Sequence, residues 1–176
     1  MSVNVAIVGA TGAVGQEFLT VLAERNFPIK NLKLLASSRS AGKTAAFAGK
    51  TYVIEELTHD SFSEMQIALF SAGGSISKEF APSAVKAGAI VVDNSSAFRM
   101  KEGIPLVVPE VNPEALQKHN GLIANPNCST IIMNVPVWPL HKVIRIKRVI
   151  VSTYQSVSGA GAWGLYELEN QMKQVA

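Results

Sequence analysis

The stretch from Val3 to Leu22 constrains the fold more than any other part of the chain. Val3–Val8 is nearly all apolar, the pattern of a parallel strand covered on both faces. It runs directly into Gly9-Ala10-Thr11-Gly12-Ala13-Val14-Gly15, and then into Gln16–Leu22, where apolar residues recur at helical spacing. Strand, glycine-rich turn and helix in that order open a doubly wound, Rossmann-like α/β sheet. The glycines permit a tight turn and close backbone approach, and the helix N-terminus offers N–H groups to a pyrophosphate. The spacing is G-x-x-G-x-x-G, a departure from the commoner G-x-G-x-x-G, so the reading rests on the flanking strand and helix as much as on the glycines.

Leu32–Ala36 reads as a second strand, ending in Ser37-Ser38-Arg39-Ser40-Ala41-Gly42-Lys43. NAD-selective folds place Asp or Glu near this point to accept hydrogen bonds from the ribose. A carboxylate would repel a 2′-phosphate, whereas Arg39 with Ser38 and Ser40 would bind one, so the cofactor expected is NADP. The alternative is an ordinary polar turn with a solvated arginine. Thr51–Leu57 is expected as an edge strand. Ile67–Ala72 is expected as a buried strand that runs into Gly73-Gly74, a second place for close cofactor approach. Ser77–Ala87 reads as a helix disturbed by Pro82 and ended by Gly88. Ala89–Val92 is then a fifth strand, delivering Asp93-Asn94-Ser95-Ser96-Ala97-Phe98-Arg99-Met100 to its carboxyl end. Open parallel sheets bind ligands along that edge, so Arg99 is a candidate anion clamp, the alternative being a surface arginine in a structural pair.

Residues 105–113 read as an extended, proline-broken segment and 114–119 as a short helix stopped by Gly121. Leu122-Ile123-Ala124 is a further strand. It leads to Asn125-Pro126-Asn127-Cys128-Ser129-Thr130, which holds the only cysteine. Ser-Thr before the apolar run Ile131–Val135 marks a helix N-terminus, with Pro136 and Pro139 at its disturbed end. Cys128 then sits at the positive end of a helix, a setting that favours a nucleophilic thiolate. The alternative is an inert buried cysteine. Ile144–Ser152 is β-rich in composition and expected to lie in a second domain, dividing the chain into 1–127 and 128–176. Trp163–Ala176 reads as a helix with Leu165, Leu168, Met172 and Val175 on one side.

A chain of 176 residues, 48% hydrophobic and 16% charged, buries about two-thirds of its unfolded surface and is not a disordered segment. One cysteine makes no internal disulfide, which fits a reducing, cytoplasmic setting. No run approaches the ~18 apolar residues of a membrane span, and the early entry into a strand pattern leaves no signal peptide to expect. The net charge is +3, and the basic residues are dispersed except at Lys142, Arg145, Lys147 and Arg148. Without interleaved aromatics that cluster reads as a solvated strand edge, not a nucleic-acid surface. His59, His119 and His141 lack metal-ligand spacing, so structural or solvated roles are expected and no metal site.

Taken together, GATGAVG at 9–15, SSRSAGK at 37–43, DNSSAFRM at 93–100, NPNCST at 125–130 and QSVSGAG at 155–161 resemble the N-terminal part of aspartate-semialdehyde dehydrogenase. N-acetyl-glutamyl-phosphate reductase and the phosphorylating glyceraldehyde dehydrogenases share the fold and the cysteine logic, but their cysteine turns differ from NPNCST. The resemblance implies NADP-dependent reductive dephosphorylation of aspartyl phosphate to aspartate semialdehyde, in lysine, threonine and methionine biosynthesis. It implies Cys128 as the thioester-forming nucleophile, Gln155 as the residue that orients substrate and intermediate, and Arg99 as the phosphate binder. Asn127 would help position the reacting carbonyl. Gly9, Thr11, Gly12, Ala13, Val14, Ser38, Arg39, Ser40, Gly73, Ser158 and Gly159 would line the NADP site. The partners implied are small molecules and further copies of the chain, as dimer or tetramer, with no nucleic acid and no membrane. Family chains also continue through a domain that supplies a catalytic His, a second phosphate-binding Lys, and the Arg and Glu that hold the amino-acid end. Those motifs are not in these residues, so the alternative expectation is an NADP-binding module without turnover.

Overall fold

Seven strands join in one sheet: β1 (Val3–Val8), β2 (Ile29–Ala36), β3 (Thr44–Phe47), β4 (Lys50–Glu56), β5 (Ile67–Phe70), β6 (Ile90–Asp93) and β7 (Leu122–Ala124). The computed structural model describes residues 2–175. Strand order is β3-β4-β2-β1-β5-β6-β7, parallel throughout except for the antiparallel β3–β4 pair.

Burial explains why the first strand lacks polar alternation. Alternate residues of a strand face opposite sides of the sheet. Val5 and Ile7 therefore join one apolar cluster with Leu19 of helix α1 (Ala13–Glu24). Ala6 and Val8 join a second cluster with Ala81 and Ala84 of helix α2 (Gly74–Lys86). All four of these β1 residues are fully buried. Helices thus cover both faces, giving the doubly wound, Rossmann-like α/β sheet that the opening motif implies.

Several expectations need correction. The strand expected at the sheet edge over Thr51–Leu57 is β4, and it lies between β3 and β2. The true edge, β3, is an alanine-rich segment whose residues alternate exposed and buried, and alanine carries little strand signal. Ala48 and Gly49 close the β3–β4 hairpin, both at positive φ (48° and 76°), which suits a tight two-residue turn. Helix α3 (Cys128–Val143) does not end at its prolines but passes through Pro136 and Pro139. Each proline removes one rung, yet its fixed φ is helical. The ladder resumes and closes with Ile144 N–H donating to Leu140 O at 2.8 Å.

The chain divides into two compact units, the first ending at Arg145 and so including α3, the second starting at Ile146. In the second unit the β-rich segment expected over Ile144–Ser152 forms no strand; residues 145–156 carry no regular structure. Val149, Ile150 and Val151 have strand-type side chains and are exposed, but a strand exists only through pairing. No other strand of that unit is found among the described residues. The basic residues Lys142, Arg145, Lys147 and Arg148 are exposed, though not on a strand edge. Helix α4 (Ala162–Val175) matches the helix expected from Trp163; its expected last residue, Ala176, lies outside the described residues.

Candidate active site at the carboxyl edge of the sheet

Register sets the site. Leu35 pairs with Val8, Val8 with Phe70, Phe70 with Asp93, and Asp93 with Ala124. These residues end, or nearly end, their strands, so the loops that follow emerge side by side in the order of β2, β1, β5, β6 and β7. At about 4.8 Å per strand step the row spans about 19 Å. The strand order reverses between β1 and β5, which is where open α/β sheets form a ligand crevice.

The turn after β1 is built for backbone approach. Gly9 has φ +89°, and a Cβ there would collide with the backbone carbonyl of Ser71 at the end of β5. The two crevice loops therefore touch through bare backbone. Gly15 is buried, and a Cβ on it would meet Gly9 O and Ala10 Cα. The turn is fastened by Gly12 N–H donating to Gly9 O (3.0 Å) and by Gln16 Nε2 donating to Ala10 O (2.6 Å). Gly12 is the N-cap of α1 without a side-chain capping bond, no acidic residue stands in the first turn, and Thr11 through Val14 are exposed. Helix α2 repeats the design: Gly73, φ +92°, is its uncapped N-cap, with open space where a Cβ would stand. Two uncapped helix N-termini thus flank the β1–β5 crevice, with backbone N–H groups of the kind that bind a pyrophosphate. Beside this, at the end of β2, Ser38–Ser40 forms a single 3-10 turn carrying the exposed Arg39 and no acidic residue.

On the other side of the crevice, Arg99 is half-buried and tied to two loops. Its Nε donates to Asn125 O (2.8 Å) and its Nη2 to Asn94 O (3.0 Å). Asn125 Nδ2 in turn donates to Asn94 Oδ1 (2.7 Å). Beneath them lies Asp93, fully buried, whose carboxylate accepts from Ser77 Oγ (2.6 Å) and Ser95 Oγ (2.7 Å). Reading the sequence for chemistry finds Arg99 but misses this supporting set: Asp93, Ser77, Asn94, Ser95 and Asn125. The signal is nevertheless there, since an Asp that ends a wholly apolar strand must be buried and needs donors.

Cys128 is exposed and is the first residue of α3, as the sequence implies. Asn127 is the N-cap, and its Oδ1 accepts from Ser129 N–H at 3.0 Å. That bond satisfies one of the helix's orphan donors and holds the turn that presents the sulfur. So Cys128, Asn127 and Arg99 (through Asn125) converge at the ends of β6 and β7, in line with the glycine turns and Arg39.

The remaining candidates gather in the second unit. Val157–Ala160 forms a 3-10 turn, with Gly159 N–H donating to Ser156 O (2.9 Å) and Ser158 Oγ bonded to Ser156 Oγ (3.0 Å). The Gln155 side chain lies against the α-carbon of Gly159, where any Cβ would overlap its amide. Gln155, Ser158 and Gly159 are thus one local cluster, and a residue larger than glycine at 159 would displace Gln155.

The histidines have structural partners. His59 stacks on Phe80 (4.7 Å) with its Nδ1 2.8 Å from Ser83 Oγ, His119 Nδ1 accepts from Gly121 N–H (3.0 Å), and His141 stacks on Trp138 (5.8 Å). Among the described residues no group of three potential ligands is placed to hold a metal ion, and no helix is long and apolar enough to cross a membrane.

Residues 4–119 match the semialdehyde dehydrogenase NAD binding domain, and residues 137–176 the semialdehyde dehydrogenase dimerisation domain. An aspartate-semialdehyde dehydrogenase of Synechocystis is 56% identical over 98% of this chain and 51% of its own length. The solved structure of aspartate semialdehyde dehydrogenase II from Vibrio cholerae, complexed with ASA, superposes with a TM-score of 0.94 at 52% identity, over 99% of this chain and 53% of that one. The Candida albicans enzyme, solved with NADP, is more distant: TM-score 0.71 and 29% identity, over 81% of this chain and 48% of that one. The chain spans about half the length of the curated relatives it matches.

Proposed function

Because this chain belongs to the semialdehyde dehydrogenase family, we propose that its carboxyl-edge site serves an NADP-dependent aspartate-semialdehyde dehydrogenase, interconverting aspartyl phosphate and aspartate semialdehyde through a thioester on Cys128. The observation that carries this reading is the placement of Cys128, exposed at the first turn of α3, in one row with the glycine crevice. Along that row Gly9, Thr11, Gly12, Ala13 and Val14, with Gly73 across the crevice, would hold the pyrophosphate. Ser38, Arg39 and Ser40 would hold the adenosine end with its 2′-phosphate. The family resemblance also gives Ser158 and Gly159 a cofactor-binding role. Bound NADP supplies the hydride acceptor or donor.

In the oxidative direction Cys128 Sγ adds to the aldehyde carbon, forming a C–S bond and a thiohemiacetal. Loss of hydride from that carbon, with the hydroxyl proton passing to solvent, leaves a thioester. Phosphate held at Arg99 attacks the acyl carbon; the C–S bond breaks, aspartyl phosphate leaves and the thiolate returns. Holding the acyl group on the protein separates hydride transfer from phosphorolysis. Asn127 holds the turn that aims Cys128, and the family resemblance gives Gln155 the role of orienting the substrate. The biosynthetic direction is the reverse, feeding lysine, threonine and methionine from a cytoplasmic homodimer or tetramer, with residues 128–176 belonging to the catalytic and dimerisation portion.

A second reading follows from the match to only half of each relative: residues 1–176 alone bind dinucleotide without turnover. Phosphate-dependent NADPH formation from aspartate semialdehyde, with Cys128→Ser as control and NADP binding measured in parallel, separates the two. Turnover lost in Cys128→Ser supports the enzyme. Binding without turnover supports the module, and turnover surviving in Cys128→Ser overturns the thioester.

A further inference from the structure

Arg99 cannot position itself. It reaches two backbone carbonyls, Asn94 O and Asn125 O, and both belong to loops that are held from below. Asn94 follows Asp93, the fully buried carboxylate that ends β6. One oxygen of Asp93 takes Ser77 Oγ from α2; the other takes Ser95 Oγ from the loop itself. Ser95 Oγ also accepts Ala97 N–H at 3.0 Å, which folds the loop back toward Arg99. The backbone carbonyl of Asp93 accepts Asn125 N–H at 2.8 Å. One residue thereby ties together the first turns of α2, the Arg99 loop and the strand-end that leads to Cys128. Burying a carboxylate is costly unless donors surround it, and here the donors come from the elements that must be kept in register.

We propose that Asp93 is the positioning residue for anion binding at Arg99: through Ser95 its carboxylate fixes the loop from which the guanidinium presents its remaining N–H groups to phosphate. The inference rests on the reading of Arg99 as the phosphate binder. Ser77 and Ser95 divide the tie into two halves, a helix side and a loop side. Ser95→Ala frees the loop while leaving Asp93 bonded to α2. Ser95→Thr keeps the hydroxyl. Val91→Ala, on the same strand and buried, destabilises the sheet without touching the tie.

The test is steady-state kinetics of the protein as encoded, in the oxidative direction, varying inorganic phosphate, aspartate semialdehyde and NADP separately. Ser95→Ala is expected to raise KM for phosphate about tenfold, the loss of one charge-assisted hydrogen bond, with KM for NADP within about twofold of wild type. Ser95→Thr is expected to restore phosphate KM, and Val91→Ala to lower thermal stability with phosphate KM unchanged. An unchanged phosphate KM in Ser95→Ala, or an equal rise in Val91→Ala, overturns the positioning role. If Arg99→Leu leaves phosphate KM unchanged, Arg99 is not the phosphate binder and the underlying reading fails instead.

Discussion

Replacing Gly9 by alanine separates two costs that the structure makes distinguishable. At φ +89° an alanine pays about 1–2 kcal/mol for left-handed backbone. Its Cβ would also collide with the Ser71 backbone carbonyl, which cannot rotate away as a side chain would; forced overpacking of that kind costs about 1–3 kcal/mol more. The total is about 2–5 kcal/mol. Gly49 provides the control, because it has φ +76° but nothing near the position of a Cβ, so Gly49→Ala carries the backbone term alone. In a domain of this size 1 kcal/mol moves the midpoint by about 3 °C. Thermal unfolding followed by circular dichroism should therefore show Gly9→Ala lower by about 6–15 °C and Gly49→Ala by about 3–6 °C. Gly9→Ala should also lose NADP binding, because the β1 and β5 loops must part to admit the methyl group. Equal midpoints for the two variants would refute the claim that the crevice loops touch through backbone.

Other substitutions follow the same geometry. Arg39→Asp should weaken NADP at least about tenfold by placing a carboxylate against the 2′-phosphate, while NAD affinity is kept or improved; isothermal titration with both cofactors checks it, and unchanged NADP binding would remove Arg39 from the site. Asn127→Ala should cost about 1 kcal/mol by unpairing the Ser129 N–H at the start of α3, read as a midpoint lower by about 3 °C and slower modification of Cys128 by iodoacetamide. Gly12→Ala, whose Cβ would press on the backbone at Gly9 O (3.3 Å) from the N-cap of α1, should lower the midpoint by less than Gly9→Ala does and weaken NADP.

Local patterns carried most of the fold. The apolar run Val3–Val8 and the glycines after it placed β1, α1 and the crevice, because burial on both faces and positive φ leave direct marks in sequence. Cys128 is placed at a helix start by the same logic, from a strand, a polar turn with a proline, and Ser-Thr before an apolar run. What stayed hidden depended on partners. β3 has an alanine-rich sequence that pairing with β4 turns into an edge. Val149–Val151 has strand chemistry but pairs with no strand among the described residues. Pro136 and Pro139 looked like a helix end because one rung lost reads the same locally whether or not the ladder resumes. The Asp93 tie was invisible as a set, since Ser77 and Ser95 lie on opposite sides of β6 in sequence and meet only through its carboxylate. Asn127 reads in sequence only as part of a polar turn, and the structure adds that its Oδ1 caps α3 by accepting from Ser129 N–H.

The proposed chemistry requires Cys128 to carry the acyl group. Incubating the protein as encoded with aspartate semialdehyde and NADP in the absence of phosphate, then quenching in acid and mapping peptides by mass spectrometry, tests that directly. The account predicts one aspartyl group on the peptide containing Cys128, removed by hydroxylamine and discharged when phosphate is added. Phosphate-dependent NADPH formation with Cys128 unmodified throughout, or the same formation sustained by Cys128→Ser, would contradict it.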